Sequence, residues 1–224
     1  MKKFLVMPLF AAMLLAACGG NEKVSTDEQQ EVEDVNEDNT VSEEVQQPTE
    51  EDLTLTKVGE MVDDPEVGTL VLESKKKVNQ DIVQGGLTIH VDEVKVITIN
   101  NMLNDFKDEV ELNTGKAPGN ELTYMQVSYS FKNTSDELLS WSGFATAIKE
   151  DGEQLDLDNN DIIGNQNPSQ IDIQPKATVK DNLIGIPVDK DIKSIRLVTD
   201  DVLKDNNDSD EPIIYGKEIT INLK

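Results

Sequence analysis

Apolar and polar residues alternate most clearly over residues 122–133. Met125, Val127, Tyr129 and Phe131 share one face, with Gln126, Ser128 and Ser130 between them. A period of two with one wet face predicts an antiparallel strand packed on a core from one side. Leu87, Ile89 and Val91 alternate in the same way. Their phase slips at Asp92-Glu93 and resumes with Val94 and Val96, which predicts a β-bulge inside one strand. Shorter apolar runs at 69–72, 143–148, 171–173, 179–186, 195–197 and 219–223 read as further strands. Gly85-Gly86 separates two of them, Asp151-Gly152 is a two-residue hairpin signal before Leu155 and Leu157, and Pro175 and Pro187 end two others. One stretch departs from this rhythm. Met102, Leu103, Phe106 and Val110 recur at helical spacing, with Asn100 or Asn101 as the expected cap and Gly115 as the stop. Eight or nine strands at such spacing, with one short inserted helix, predict an all-β antiparallel β-sandwich over residues 67–224.

The first part of the chain follows neither period. Residues 4–17 form an apolar run behind Lys2 and Lys3, too short for a membrane span of about 20 residues. The run ends in Leu15-Ala16-Ala17-Cys18, which resembles the lipobox of a bacterial lipoprotein signal peptide. That resemblance implies cleavage after residue 17 and a diacylglycerol on the Cys18 sulfur, the only thiol in the chain. Two acyl chains would give stable anchoring where one would not. Residues 18–66 then read as a disordered acidic tether. Over residues 21–66 seventeen Asp/Glu face two lysines, and the valines at 24, 32, 35, 41 and 45 are isolated, so little apolar surface is left to offset the entropy of ordering. Leu53, Leu55, Val58, Met61 and Val62 hint at a short ordered piece just before the domain.

The run Tyr124-Met125-Gln126-Val127-Ser128-Tyr129-Ser130-Phe131-Lys132-Asn133-Thr134-Ser135-Asp136-Glu137, followed by Asp151-Gly152 and by Pro175 through Val179, Leu183, Ile184 and Pro187, carries a second likeness. It resembles immunoglobulin-like domains of unknown function in secreted proteins and lipoproteins of Gram-positive bacteria, related in fold to a secreted mycobacterial antigen. The resemblance implies that the Asn-Thr-Ser-Asp corner ends a central strand and that the proline-led strand crosses to the other sheet. It implies an extracytoplasmic sandwich and supplies no catalytic residues.

Net charge narrows the partners. At −25 the chain would be repelled by nucleic acid and by anionic head groups, so no nucleic-acid partner is expected. With its one cysteine committed to lipid, the exported domain has no disulfide and must be held by packing alone.

Candidate chemistry is sparse. His90, the only histidine, lies between Ile89 and Val91 on the wet face of a strand and reads as a surface residue. Without a second histidine or free cysteine, no zinc site is expected. Ser140-Trp141-Ser142-Gly143 lacks the G-x-S-x-G frame of a serine hydrolase, and Trp141 reads as a packing residue. Asp156, Asp158, Asn159, Asn160 and Asp161 crowd one loop and residues 205–211 another. The residues six places into these runs, Asp161 and Asp210, stand where an EF-hand requires glycine. Asn133-Thr134-Ser135 and Asn207-Asp208-Ser209 match the glycosylation acceptor pattern by chance. Neither a catalytic residue, a metal ligand nor a cofactor is therefore expected, and the one modified position is Cys18. The expectation is a lipoprotein on the outer face of a Gram-positive-type cytoplasmic membrane, serving as a non-catalytic binding or scaffolding module for an envelope protein. A calcium- or cation-responsive module with weak divalent binding at the acidic loops is the first alternative, and a carboxylate-dependent envelope hydrolase the second.

Overall fold

The structure, a computed structural model, describes residues 54–164, 171–204 and 214–223. Cys18, the lipobox, the tether up to residue 53 and the acidic run at 205–211 lie outside the described residues. All described residues fall within one unit, Gln46–Lys224.

The chain order is β1 (Met61–Asp64), β2 (Gly68–Gln84), β3 (Leu87–Asn100), α1 (Asn104–Thr114), β4 (Glu121–Asn133), β5 (Leu139–Trp141), β6 (Phe144–Lys149), β7 (Gln154–Asp156), β8 (Ile171–Ile173), β9 (Thr178–Pro187), β10 (Ser194–Thr199), β11 (Leu203–Lys204) and β12 (Glu218–Asn222). All pairs are antiparallel. One sheet has the order β1-β2-β3-β4-β9, a second β12-β10-β6-β7 and a third β11-β5-β8. The predicted all-β sandwich with one short helix is present, with the two smaller sheets facing the large one across a shared core.

That core follows the alternation. From β4 come Met125, Val127, Tyr129 and Phe131, and from β3 Leu87, Ile89, Val91, Val94 and Val96. Opposite them lie Leu139 and Trp141 of β5, Phe144 and Ala147 of β6, Ile195 and Leu197 of β10, and Ile221 of β12. The expected phase slip is a register shift between Val91 and Glu93 against β4, which keeps apolar residues inward on both sides of it. Four aromatic rings meet at the centre. Trp141 stands edge-on to Phe131 at 4.9 Å and Phe144 edge-on to Tyr129 at 5.0 Å, the offset geometry that ring quadrupoles favour. Buried polar groups pin the layers. Asn133, fully buried, donates to the carbonyls of Glu137 and Ile173 and accepts from Ser135 N and Oγ. Gln84, also fully buried, donates to Asp200 O at 2.8 Å and accepts from Thr199 Oγ1 at 2.7 Å.

Four expectations need correction. The strand that opens at residues 69–72 does not stop there but runs the seventeen residues of β2, through Lys75-Lys76-Lys77 with register shifts at Leu72/Ser74 and Lys77/Gln80, and β1 precedes it. The tether boundary at residue 66 moves back, because β1 pairs with β2 and Leu55 is buried. Neither asparagine caps α1. Asn100 is the last residue of β3, Asn101 turns the chain at φ 51°, and the cap position is Leu103, which offers no side-chain hydrogen bond. Helix entry is fixed instead by Leu103 N donating to Val67 O at 3.0 Å. Gly115 does stop the helix, at φ 68° with its N–H on Glu111 O. The Asp151-Gly152 signal also makes a hairpin, but a three-residue one. Lys149 N donates to Glu153 O, Gly152 N donates to Lys149 O, and Gly152 has φ 88°.

The large sheet outgrows the sandwich, and there its outer face is covered too. Leu72, Ile97, Ile99 and Tyr124 meet Leu55, Met102, Val110 and Ile162 in a second core roofed by α1 and the loop after β7.

Candidate functional site

Several depressions bordered by charge mark the described surface, and two of them are the roomiest of those compared. One lies on the outer face of the β12-β10-β6-β7 sheet and measures about 570 Å³, lined by Ile148, Lys149, Glu150, Lys193, Arg196 and Thr220 among others. Its charges are already matched. Lys149 pairs with Glu153, and Arg196 with Glu218 at 3.0 Å, while Glu150 Oε1 accepts Ser194 N at 2.6 Å and Lys193 N at 2.5 Å. The Glu153 hydrogen bond holds the Lys149 ammonium above its usual pKa. Every cation on this face except Lys193 thus has a carboxylate partner, which leaves little net field for an incoming ion.

The other depression, a groove of about 750 Å³, runs between the start of α1 and the β1–β2 turn. Sequence dictates its two walls. Asp64 Oδ1 accepts Glu66 N at 2.8 Å and Val67 N at 3.1 Å, an aspartate turn that presents Pro65, Glu66 and Val67. The Leu103–Val67 backbone bond then brings the helix start alongside. Pro65, Val67, Leu103, Phe106 and Ile163 supply apolar surface, and Glu66, Asp105 and Glu109 stand at the rim with Asn104. All three carboxylates are exposed, and among the described residues none is in an ion pair. The neighbouring Lys107 turns away to Asn120 Oδ1 at 2.8 Å. Leu103 is 41% exposed. Sequence reading placed Leu103 and Phe106 at helical spacing and missed the groove.

The other residues singled out from sequence are placed as follows. His90 lies on the outer face of the large sheet, its Nδ1 2.6 Å from Asp81 Oδ1 and its Nε2 3.5 Å from Asp92 Oδ1. Trp141 is buried in the aromatic cluster with Nε1 donating to Asp200 O at 3.2 Å. Ser140 Oγ is buried without a hydrogen-bond partner among the described residues. Asn133 is inaccessible to a glycan, being fully buried. In the 156–161 loop the carboxylates diverge. Asp156 accepts Asp158 N and Asn159 Nδ2, whereas Asp161 turns inward, its Oδ1 accepting Gly185 N at 2.9 Å and Ile163 N at 3.1 Å. Burial pushes the Asp161 carboxyl above its ordinary pKa, and these backbone donors only partly oppose that. Among the described residues no three His, Cys, Asp or Glu side chains converge as a metal site would require. None of the helices among them is long and apolar enough to cross a membrane.

Comparison with protein-family models, curated proteins and solved structures finds no match to this chain.

Proposed function

We propose that the chain is a membrane-tethered, extracytoplasmic module that binds or scaffolds another envelope component without catalysing a reaction. The observation that supports this reading is the lining of the α1 groove. It offers apolar surface and three exposed carboxylates, with no hydroxyl, thiol or imidazole among its residues. A recognition surface needs an apolar anchor point inside a polar rim, which this groove has. A general acid needs a carboxyl desolvated in a closed cleft, and the carboxylates here face solvent. The carboxyl with a raised pKa, Asp161, is committed to backbone donors that hold a loop in place. Placement at the membrane rests on the likeness of Leu15-Ala16-Ala17-Cys18 to a lipobox, and the extracytoplasmic setting agrees with the resemblance to immunoglobulin-like lipoprotein domains.

The test is a crosslinking pull-down from intact cells carrying the full chain or Cys18→Ala. The native chain should partition into detergent and recover the same envelope protein in repeated experiments, and Cys18→Ala should partition into the aqueous phase and lose that partner. Equal partitioning would remove the anchor. A melting temperature raised several degrees by millimolar calcium would favour a cation-responsive module instead.

A further inference from the structure

The groove beside α1 also indicates what kind of partner it would take. We propose that it docks a cationic, amphipathic peptide segment of another protein, with an apolar side chain against Leu103 and Phe106 and basic groups against Glu66, Asp105 and Glu109. This rests on the binding-module reading above and adds the chemistry of the partner.

Three observations converge on that occupant. The volume of about 750 Å³ lies within the range of about 300–1,000 Å³ usual for ligand sites, so more than one side chain fits. Pro65, Val67, Leu103, Phe106 and Ile163 supply apolar surface for a partner's anchor, and such anchors carry most of the energy of an interface. The rim is of one sign. Glu66, Asp105 and Glu109 are in no ion pair among the described residues, although Lys107 is within one turn of helix and is spent on Asn120. Like charges held together without a counter-ion are a field awaiting one, and a basic partner would be steered to it.

Other occupants fit less well. An anionic membrane surface or a nucleic acid would meet three carboxylates. A bare divalent cation would have no use for the leucine and phenylalanine. A matched contrast is built into α1 itself. Asp105 and Glu109 border the groove, whereas Asp108 and Glu111 of the same helix do not.

The experiment uses the full chain and a fluorescein-labelled amphipathic peptide of leucine and lysine, about 14 residues long, read by fluorescence anisotropy. The native chain should bind it, and raising salt should weaken binding. Asp105→Lys combined with Glu109→Lys should weaken it about tenfold, while Asp108→Lys combined with Glu111→Lys, an identical change in net charge, should leave it within about twofold. Leu103→Ser should weaken it without altering the far-ultraviolet circular dichroism, which also certifies the folding of every variant. Equal weakening by both lysine pairs would overturn the proposal, because overall charge would then be the cause. So would equally tight binding of a serine–lysine peptide, since the apolar contact would be idle.

A photo-crosslinking residue in place of Leu103 in intact cells separates this proposal from the reading beneath it. Capture of a protein with no basic segment, or of a second copy of this chain, would sink the partner chemistry and leave a binding module standing. Absence of both peptide binding and any crosslink would sink the two together.

Discussion

The two hydrophobic cores lie on opposite faces of one sheet, and they are built on different terms. Among the described residues the sandwich core gathers twenty-four buried side chains from nearly every strand, with four aromatic rings at its centre. The second core has eight among the described residues, of which four belong to the sheet and four to the segments laid over it. In the first, most side chains sit on strands that are hydrogen-bonded to their neighbours and packed across the layer. In the second, the roof is α1 and the segments that carry Leu55, Met102 and Ile162, joined to the sheet by a few backbone contacts such as Ile162 N to Gly185 O at 2.8 Å. Elements with few buried contacts open at lower free energy than the fold as a whole, and binding surfaces are drawn from them. It is the second core that carries the groove.

Removing a ring from the sandwich should have the largest effect. Phe144 is fully buried and faces Tyr129, so Phe144→Ala should cost about 3–5 kcal/mol and shift the urea midpoint of the whole domain. With no disulfide within the domain to limit the unfolded chain, that loss should approach global unfolding. If the midpoint moved by less than about 1 kcal/mol, the ring cluster would not be the keystone of the larger core.

A methyl group on the opposite face should act locally. At Gly185 an added Cβ would sit 2.5 Å from Ile163 Cγ1 and 2.9 Å from Ile162 Cγ1, closer than packed carbons allow. Gly185→Ala should cost about 1–3 kcal/mol by lifting the loop. Amide exchange should quicken around Ile162 and Ile163 while the aromatic cluster keeps its protection. A uniform rise in exchange across both cores would mean that they are a single cooperative unit.

The unequal legibility of the two cores in the sequence has the same origin. The sandwich face was readable because one-sided burial leaves an alternating trace, as at Met125, Val127, Tyr129 and Phe131. The bulge at Asp92-Glu93 was readable for the same reason, as a slip in that trace. Where both faces are covered the trace vanishes. Val96, Ile97, Thr98 and Ile99 are buried without interruption, and such a run looks alike for any doubly covered segment. β2 was cut short because Lys75-Lys76-Lys77 and the left-handed Asn79 carry no strand signal, and pairing with β3 overrides them. The asparagines before α1 satisfied a capping rule that tertiary contact replaced with the Leu103–Val67 bond. The groove left almost no imprint, because it depends on bringing residues 65–67 beside residues 103–109, and no local pattern records that meeting.

Asp161 offers a subtler way to separate the cores. Its carboxyl, tucked against Gly185 and Ile163, has a folded pKa above the ordinary 3.8 because burial disfavours the charge. Just above that value the folded state therefore binds more protons than the unfolded chain, so this residue's contribution to stability falls as pH rises through the window and is greatest below it. Asp161→Asn keeps an oxygen for the backbone donors and removes the titration. The stability of the native chain relative to Asp161→Asn should thus improve as pH drops from 7 toward 4. A parallel pair of curves would show that the carboxyl is hydrated in the folded state.

The smallest effect is expected where an outer face has no roof. On the β10–β12 pair, Arg196 and Glu218 meet at 3.0 Å with side chains 47% and 43% exposed. A pair so well solvated gains little in high dielectric and is screened by salt, so Arg196→Ala should change stability by less than about 1 kcal/mol. The same strand contributes Leu197 to the sandwich core with no exposure at all. Neighbouring residues on opposite faces of β10 therefore separate two quantities, the electrostatics of a bare sheet face and the packing beneath it. Melting curves of Arg196→Ala at low and high salt should converge with those of the native chain as salt rises. If the gap between them stayed open, the arginine's methylenes would be contributing packing on a face that otherwise stands uncovered.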